Sequence, residues 1–173
     1  MKTTLALALF ATLTLSAAPP VNYAGHWTYD STASKGLPPQ LAADVTVWTL
    51  AVKQTPERLN LQVHIENKRP EMPALDQSFD YTLDGKEAAT KTSILTPRGP
   101  MEVPTTLKGH VNENGTVELS ITRELSMGDE TRQAVLTEKW DLSADGKTLT
   151  IHRHDVRPNG NTSDSDVVFH RAG

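Results

Sequence analysis

Three residues in the second half of the chain have the types and spacing to hold an anion: Arg123, Glu138 and Arg153. Two of them are tied together by a turn. The stretch from Trp140 to Arg153 folds back about Asp145-Gly146, one of the strongest short-range hairpin signals. Setting Leu142 opposite Leu149 puts Trp140 opposite Ile151 and Glu138 opposite Arg153, all on one face. A one-residue slip loses every match, so the register is well specified. The other face carries Asp141/Thr150, Lys139/His152 and Thr137/His154, the composition of a solvent face. A second turn, Glu113-Asn114-Gly115 with Gly115 left-handed, pairs Val111 with Val117, Gly109 with Leu119 and Leu107 with Ile121.

The inner face so defined is apolar near the tight turns and charged further along. Val117, Leu119, Trp140, Leu142, Leu149, Ile151 and Phe169 form an apolar floor below Arg123, Glu138 and Arg153. Two guanidiniums against one carboxylate leave surplus positive charge, and an arginine grips a carboxylate bidentately. The surplus could hold the acidic head of an amphiphile such as a fatty acid, with Trp48 and Trp140 as apolar contacts. A purely structural arrangement also suits these charges, with Glu138 pairing one arginine while the other reaches solvent at the rim. The tryptophans equally suit a core.

Other chemistry finds less support. His152-x-His154 points two imidazoles to one side of a strand, as metal ligands can be, but that side is outward and no third ligand is specified. These read as surface histidines, and no metal or cofactor is assigned. No cysteine, Gly-x-Ser-x-Gly or His-Glu-x-x-His motif occurs, and a lone carboxylate beside arginines stays ionised. An enzyme is not expected.

Residues 1–18 have the pattern of an export leader: basic Lys2, apolar Leu5 to Leu15, then small Ser16-Ala17-Ala18. The expectation is a periplasmic or extracellular protein whose single domain spans 19–173. The apolar run is too short for a membrane span, and no later segment approaches the ~20 residues required. Without Lys2, 16 of the 17 basic residues remain against 21 acidic ones, a net charge of −5. That sign argues against nucleic acid and anionic membranes as partners.

Recurrent Gly and Pro, and the lack of any long 3.6-residue period, make this an all-β chain of about ten strands. They are predicted near 23–30, 45–54, 59–66, 78–83, 86–95, 101–112, 116–125, the two hairpin strands around Asp145-Gly146, and 164–171. Pro104 suggests a bulge or locally unpaired backbone in the sixth. Residues 31–44 read mainly as a long loop with room for a short helix after Pro38-Pro39. The tight turns at 55–58, 84–85, 114–115 and 145–146 fall at one end. The longer connections 31–44, 67–77, 96–100, 126–130 and 157–163 fall at the other. An antiparallel up-and-down β-barrel satisfies this pattern and removes exposed edges.

Gly25-His26-Trp27 at the start of the first strand resembles the G-x-W signature of lipocalins and related calycin barrels. The resemblance implies that Gly25 and Trp27 sit at the closed end beside Arg171 from the last strand, and that 31–44 corresponds to a lid loop. Through Tyr81-Thr-Leu-Asp-Gly-Lys and Leu142-Ser-Ala-Asp-Gly-Lys the chain also resembles small exported bacterial lipocalin-like proteins. Ten strands and no cysteine depart from the eight strands and frequent disulfides of typical lipocalins. A binder of a small hydrophobic or amphipathic molecule is the function this implies. The alternative is an interaction module, such as an exported enzyme inhibitor, that meets a protein partner through the loops carrying Met72 and Arg98.

Overall fold

The computed structural model describes residues 21–69, 73–96 and 99–173. The expected leader, Met72 and Arg98 lie outside them. Ten antiparallel strands follow one another: β1 (Gly25–Lys35), β2 (Val45–Gln54), β3 (Arg58–Asn67), β4 (Leu75–Thr82), β5 (Asp84–Thr96), β6 (Gly99–Val111), β7 (Val117–Met127), β8 (Glu130–Leu142), β9 (Thr148–Val156) and β10 (Thr162–Arg171). One short helix, α1 (Pro39–Asp44), joins β1 to β2. The sheet order is β4-β3-β2-β1-β10-β9-β8-β7-β6-β5. Pairing of the first strand with the last rolls this meander into a nearly closed barrel.

Period-2 alternation decides the register, because every buried face must meet another buried face. The expected pairs Glu138–Arg153, Trp140–Ile151 and Leu142–Leu149 form. So do Val111–Val117, Gly109–Leu119 and Leu107–Ile121, with Gly115 at φ 84° in the turn. Trp27 stands opposite Arg171. The core runs continuously around the inside, from Trp27 on β1 through Leu50, Leu61 and Phe79 to Leu119, Trp140, Ile151 and Phe169.

The closed end explains the Gly25-His26-Trp27 motif. The Arg171 guanidinium lies 4.2 Å from the centre of the wholly buried Trp27 ring, and its Nε and Nη1 donate to the carbonyls of Gly146 (2.7 Å) and Ala24 (2.6 Å). Gly25, at φ 143°, is where that guanidinium passes, and a Cβ there would collide with it. Such a φ also strains any other residue. Trp27 Nε1 donates to the Tyr23 carbonyl, and Tyr23 packs edge-on against Trp140 while its hydroxyl donates to the Trp140 carbonyl.

Three expectations need correction, and that for Pro104 holds in one of its two alternatives. The connection at 126–130 is not long: Met127 pairs with Glu130, leaving a two-residue turn. Gly128 has φ 67° and Asp129 a negative φ, the signs of a type II′ turn. Residues 31–44 are not mainly loop, since β1 continues through an irregularity after Asp30 to Lys35 before α1 begins. Asp30 accepts from Thr32 and Ala33 and so closes that irregularity locally. Pro104 causes no bulge, because β5 and β6 stay in register there; the shift lies between Asp84 and Glu87. The other reading of Pro104, locally unpaired backbone, holds on its β7 side, where pairing stops at Thr105–Arg123. Finally, Asp84-Gly85 does not close a hairpin. β4 and β5, adjacent in sequence, are the two ends of the sheet and share no ladder.

Candidate functional site

Above the closed-end plug the barrel encloses a cavity of about 280 Å³. Its walls are mostly apolar, with Trp48 and Leu50 from β2, Leu61, Val63 and Ile65 from β3, and Ile151 and Phe169 opposite. Arg123, Glu138 and Arg153 all reach it. They converge because each continues the inward alternation of an apolar run: Ile121 to Arg123, Leu136 to Glu138, Ile151 to Arg153. Trp48 lines the cavity as well. Trp140 does not; it lies wholly buried beneath, and its indole N–H donates to Glu138 Oε2 at 3.1 Å.

The three charges are unequally satisfied. Glu138 is buried, accepts from Trp140, and has Arg153 Nε 3.2 Å from its other oxygen. That contact is an ion pair without hydrogen-bond alignment, for Arg153 Nε is buried without a hydrogen-bond partner. The Arg153 guanidinium also lies 5.6 Å from the centre of the Trp48 ring, at the outer reach of a cation–π contact. Trp48 Nε1 and the Tyr81 hydroxyl are likewise buried with no partner. Unmade bonds of this kind are expensive in a dry interior.

Arg123 has no carboxylate within ion-pair distance among the described residues. Its Nε donates to Thr92 Oγ1 at 3.1 Å, at the head of a hydroxyl relay in which Thr92 and Thr105 are 2.8 Å apart and Thr105 donates to the Val103 carbonyl. The relay holds the guanidinium in place without neutralising it. Burial lowers the Arg123 pKa, and the Arg153 charge pushes the same way, while Tyr81, Asp155 and Glu138 oppose the shift. Arginine nonetheless stays protonated in water-accessible sites. Burial likewise raises the Tyr81 pKa well above that of a free phenol, so its hydroxyl remains a donor. The charged lining therefore carries two guanidiniums against one carboxylate, while the Tyr81 hydroxyl lies behind the wall. That carboxylate is already engaged.

Tyr81 and Thr92 were not among the sequence candidates. Tyr81 is two residues from Phe79 on a strand, a spacing that puts both on the inner face. Thr92 sits in β5, whose apolar alternation is weak, so no pattern pointed inward there.

The histidines lie on the outer wall. His152 stands between Asp166 (2.7 Å) and Asp141 (3.1 Å), and His154 contacts Asp164 (2.7 Å). Among the described residues no group of three or more ligating side chains is arranged to hold a metal ion. Comparison of the chain with family models, curated proteins and solved structures finds no match.

Proposed function

We propose that this protein is an exported, lipocalin-like carrier that holds a small amphiphile with an anionic head inside the barrel. The carrying observation is Arg123: a half-buried guanidinium on the wall of an apolar cavity, positioned by a neutral hydroxyl relay and, among the described residues, without a carboxylate in ion-pair contact. A ligand carboxylate would supply the missing acceptor, with Arg153 and the Trp48 indole N–H as further donors on the same wall. The acyl or other apolar portion would lie against Leu50, Leu61, Val63 and Ile151. About 280 Å³ falls at the lower edge of the ~300–1,000 Å³ typical of small-molecule sites, which favours a short ligand. Export rests on the leader pattern of residues 1–18, and lipocalin-like membership on Gly25, Trp27 and Arg171 in a meander barrel.

The test is native purification followed by mass spectrometry of whatever the folded protein retains, and titration with decanoate. Losing one charge-assisted hydrogen bond costs ~1.5–3 kcal/mol. Arg123→Met should therefore weaken decanoate binding by roughly 10- to 100-fold while affecting a neutral alcohol of equal length far less. Equal losses for both would remove the anion from the proposal. No binding of either by the folded wild-type protein would remove the carrier.

A further inference from the structure

The barrel wall is continuous in hydrogen bonding at every junction between neighbouring strands but one. Among the described residues nine junctions carry antiparallel ladders, and between β4 and β5 there is none. The cavity reaches this seam, since Leu75, Gln77 and Phe79 on one side and Ser93 and Ile94 on the other belong to its walls. Leu75, Gln77, Ser93 and Ile94 are only half-buried, whereas Leu50, Ile151, Val167 and Phe169 elsewhere on the cavity wall are buried. Val63, Ile65, Arg123 and Arg153 are half-buried too, so the seam is one of the places where the cavity wall meets solvent, and the one without a ladder.

The two halves of the seam are held differently. Toward the closed end, β4 is pinned across to β6. A Cβ on Gly109 would stand only 3.0 Å from the Thr82 carbonyl oxygen and 3.2 Å from Tyr81 Cβ, so glycine is what permits the approach. The Leu83 N–H is also bonded to the Glu57 carbonyl. Toward the open end, the side-chain amide of Gln77 donates to the Ser93 carbonyl across the gap. Parting the wall anywhere else would break several ladder bonds at once, whereas parting it here breaks no ladder described between the two strands and releases the Gln77 side-chain bond.

We propose that ligand passes laterally through the upper half of the β4–β5 seam, and that Gln77 is the latch which sets its rate of passage. This rests on the carrier reading above. The closed end offers no competing route, because Trp27 and Trp140 fill it with no exposed surface. A latch placed on the path rather than in the anion site should change association and dissociation together and leave their ratio nearly unchanged.

The chain has no cysteine, so engineered thiols can be placed and read without interference. Gln77→Cys with Ser93→Cys, joined by a short bis-maleimide, would tie the seam shut. Uptake and release of 1-anilinonaphthalene-8-sulfonate, an anionic apolar probe, would be followed by stopped-flow fluorescence, with cross-linking verified by mass. The tied protein should show both rates reduced at least tenfold, with Kd within about threefold of the untied double variant. Gln77→Ala, which needs no cross-link, should raise both rates at least threefold. Unchanged rates in the fully tied protein, or in Gln77→Ala, would overturn the seam route. Failure of the wild-type protein to take up both this probe and decanoate would instead overturn the carrier reading, and the seam route with it.

Discussion

Two arginines in this barrel lie over two tryptophans, and the pairs differ in almost everything else. Arg171 sits 4.2 Å from the Trp27 ring with its Nε and Nη1 bonded to carbonyls, and the Trp27 indole N–H is itself paired. Arg153 sits 5.6 Å from the Trp48 ring with its Nε unaligned to any acceptor, and the Trp48 indole N–H has no partner. The first pair closes an end of the fold; the second faces a cavity. The same residue types thus serve stability where their polar atoms are satisfied. Where those atoms are left wanting, they face the cavity that the proposed ligand would fill.

The sharpest break in this comparison would come from removing the rings. Trp27→Ala should cost ~3–5 kcal/mol of unfolding free energy in urea titrations, the usual range for a buried aromatic. Trp48→Ala should cost only about 1–3 kcal/mol, because one side of that ring already borders empty space. Equal costs would mean that the cavity half is packed as tightly as the plug.

The arginines should separate next. Arg171→Met forfeits two charge-assisted bonds to carbonyls and should destabilise by ~2–4 kcal/mol. Arg123→Met discards a half-buried charge that no carboxylate contacts and that Asp155 and Glu138 offset only from a distance, so it should leave stability within about 0.5 kcal/mol or raise it. Gly25→Ala should fall between these, at about 1–3 kcal/mol, since it strains the backbone at φ 143° and displaces Arg171.

The smallest expected effect lies on the outer wall, away from both pairs. Asp76 and then Glu66 hydrogen-bond the His64 ring and raise its pKa above the ordinary 6.5. Its contribution to stability is therefore fully present below about pH 6.5 and fades as pH rises through the higher folded-state value. Urea midpoints should fall slightly over that window, and His64→Gln should flatten the slope without altering either arginine–tryptophan pair.

Much of the frame was legible in the chain. Alternation with a turn residue at each tight end placed Glu138 opposite Arg153 and Leu119 opposite Gly109, because a slipped register would bury charge and expose the core. The Gly128-Asp129 turn was written there too, as glycine ahead of aspartate, but its flanks Met127 and Glu130 lack a hydrophobic pair to mark it. Thr92, Gln77 and the seam left weaker signs. β5 alternates poorly because its inward positions carry polar or small residues such as Thr92, whereas β4, the other end of the sheet, alternates regularly.

What the sequence determined by itself was therefore local: strand faces, turn chemistry, and the inward aim of Arg123, Glu138 and Arg153. Each follows from neighbours two residues away or across one tight turn. Only the tertiary structure decided that Arg123 would be steadied by hydroxyls, that Trp140 would lie below the cavity rather than in it, and that the barrel would part between β4 and β5. Those outcomes depend on how ten strands share one circumference, and no single pair of strands carries that information.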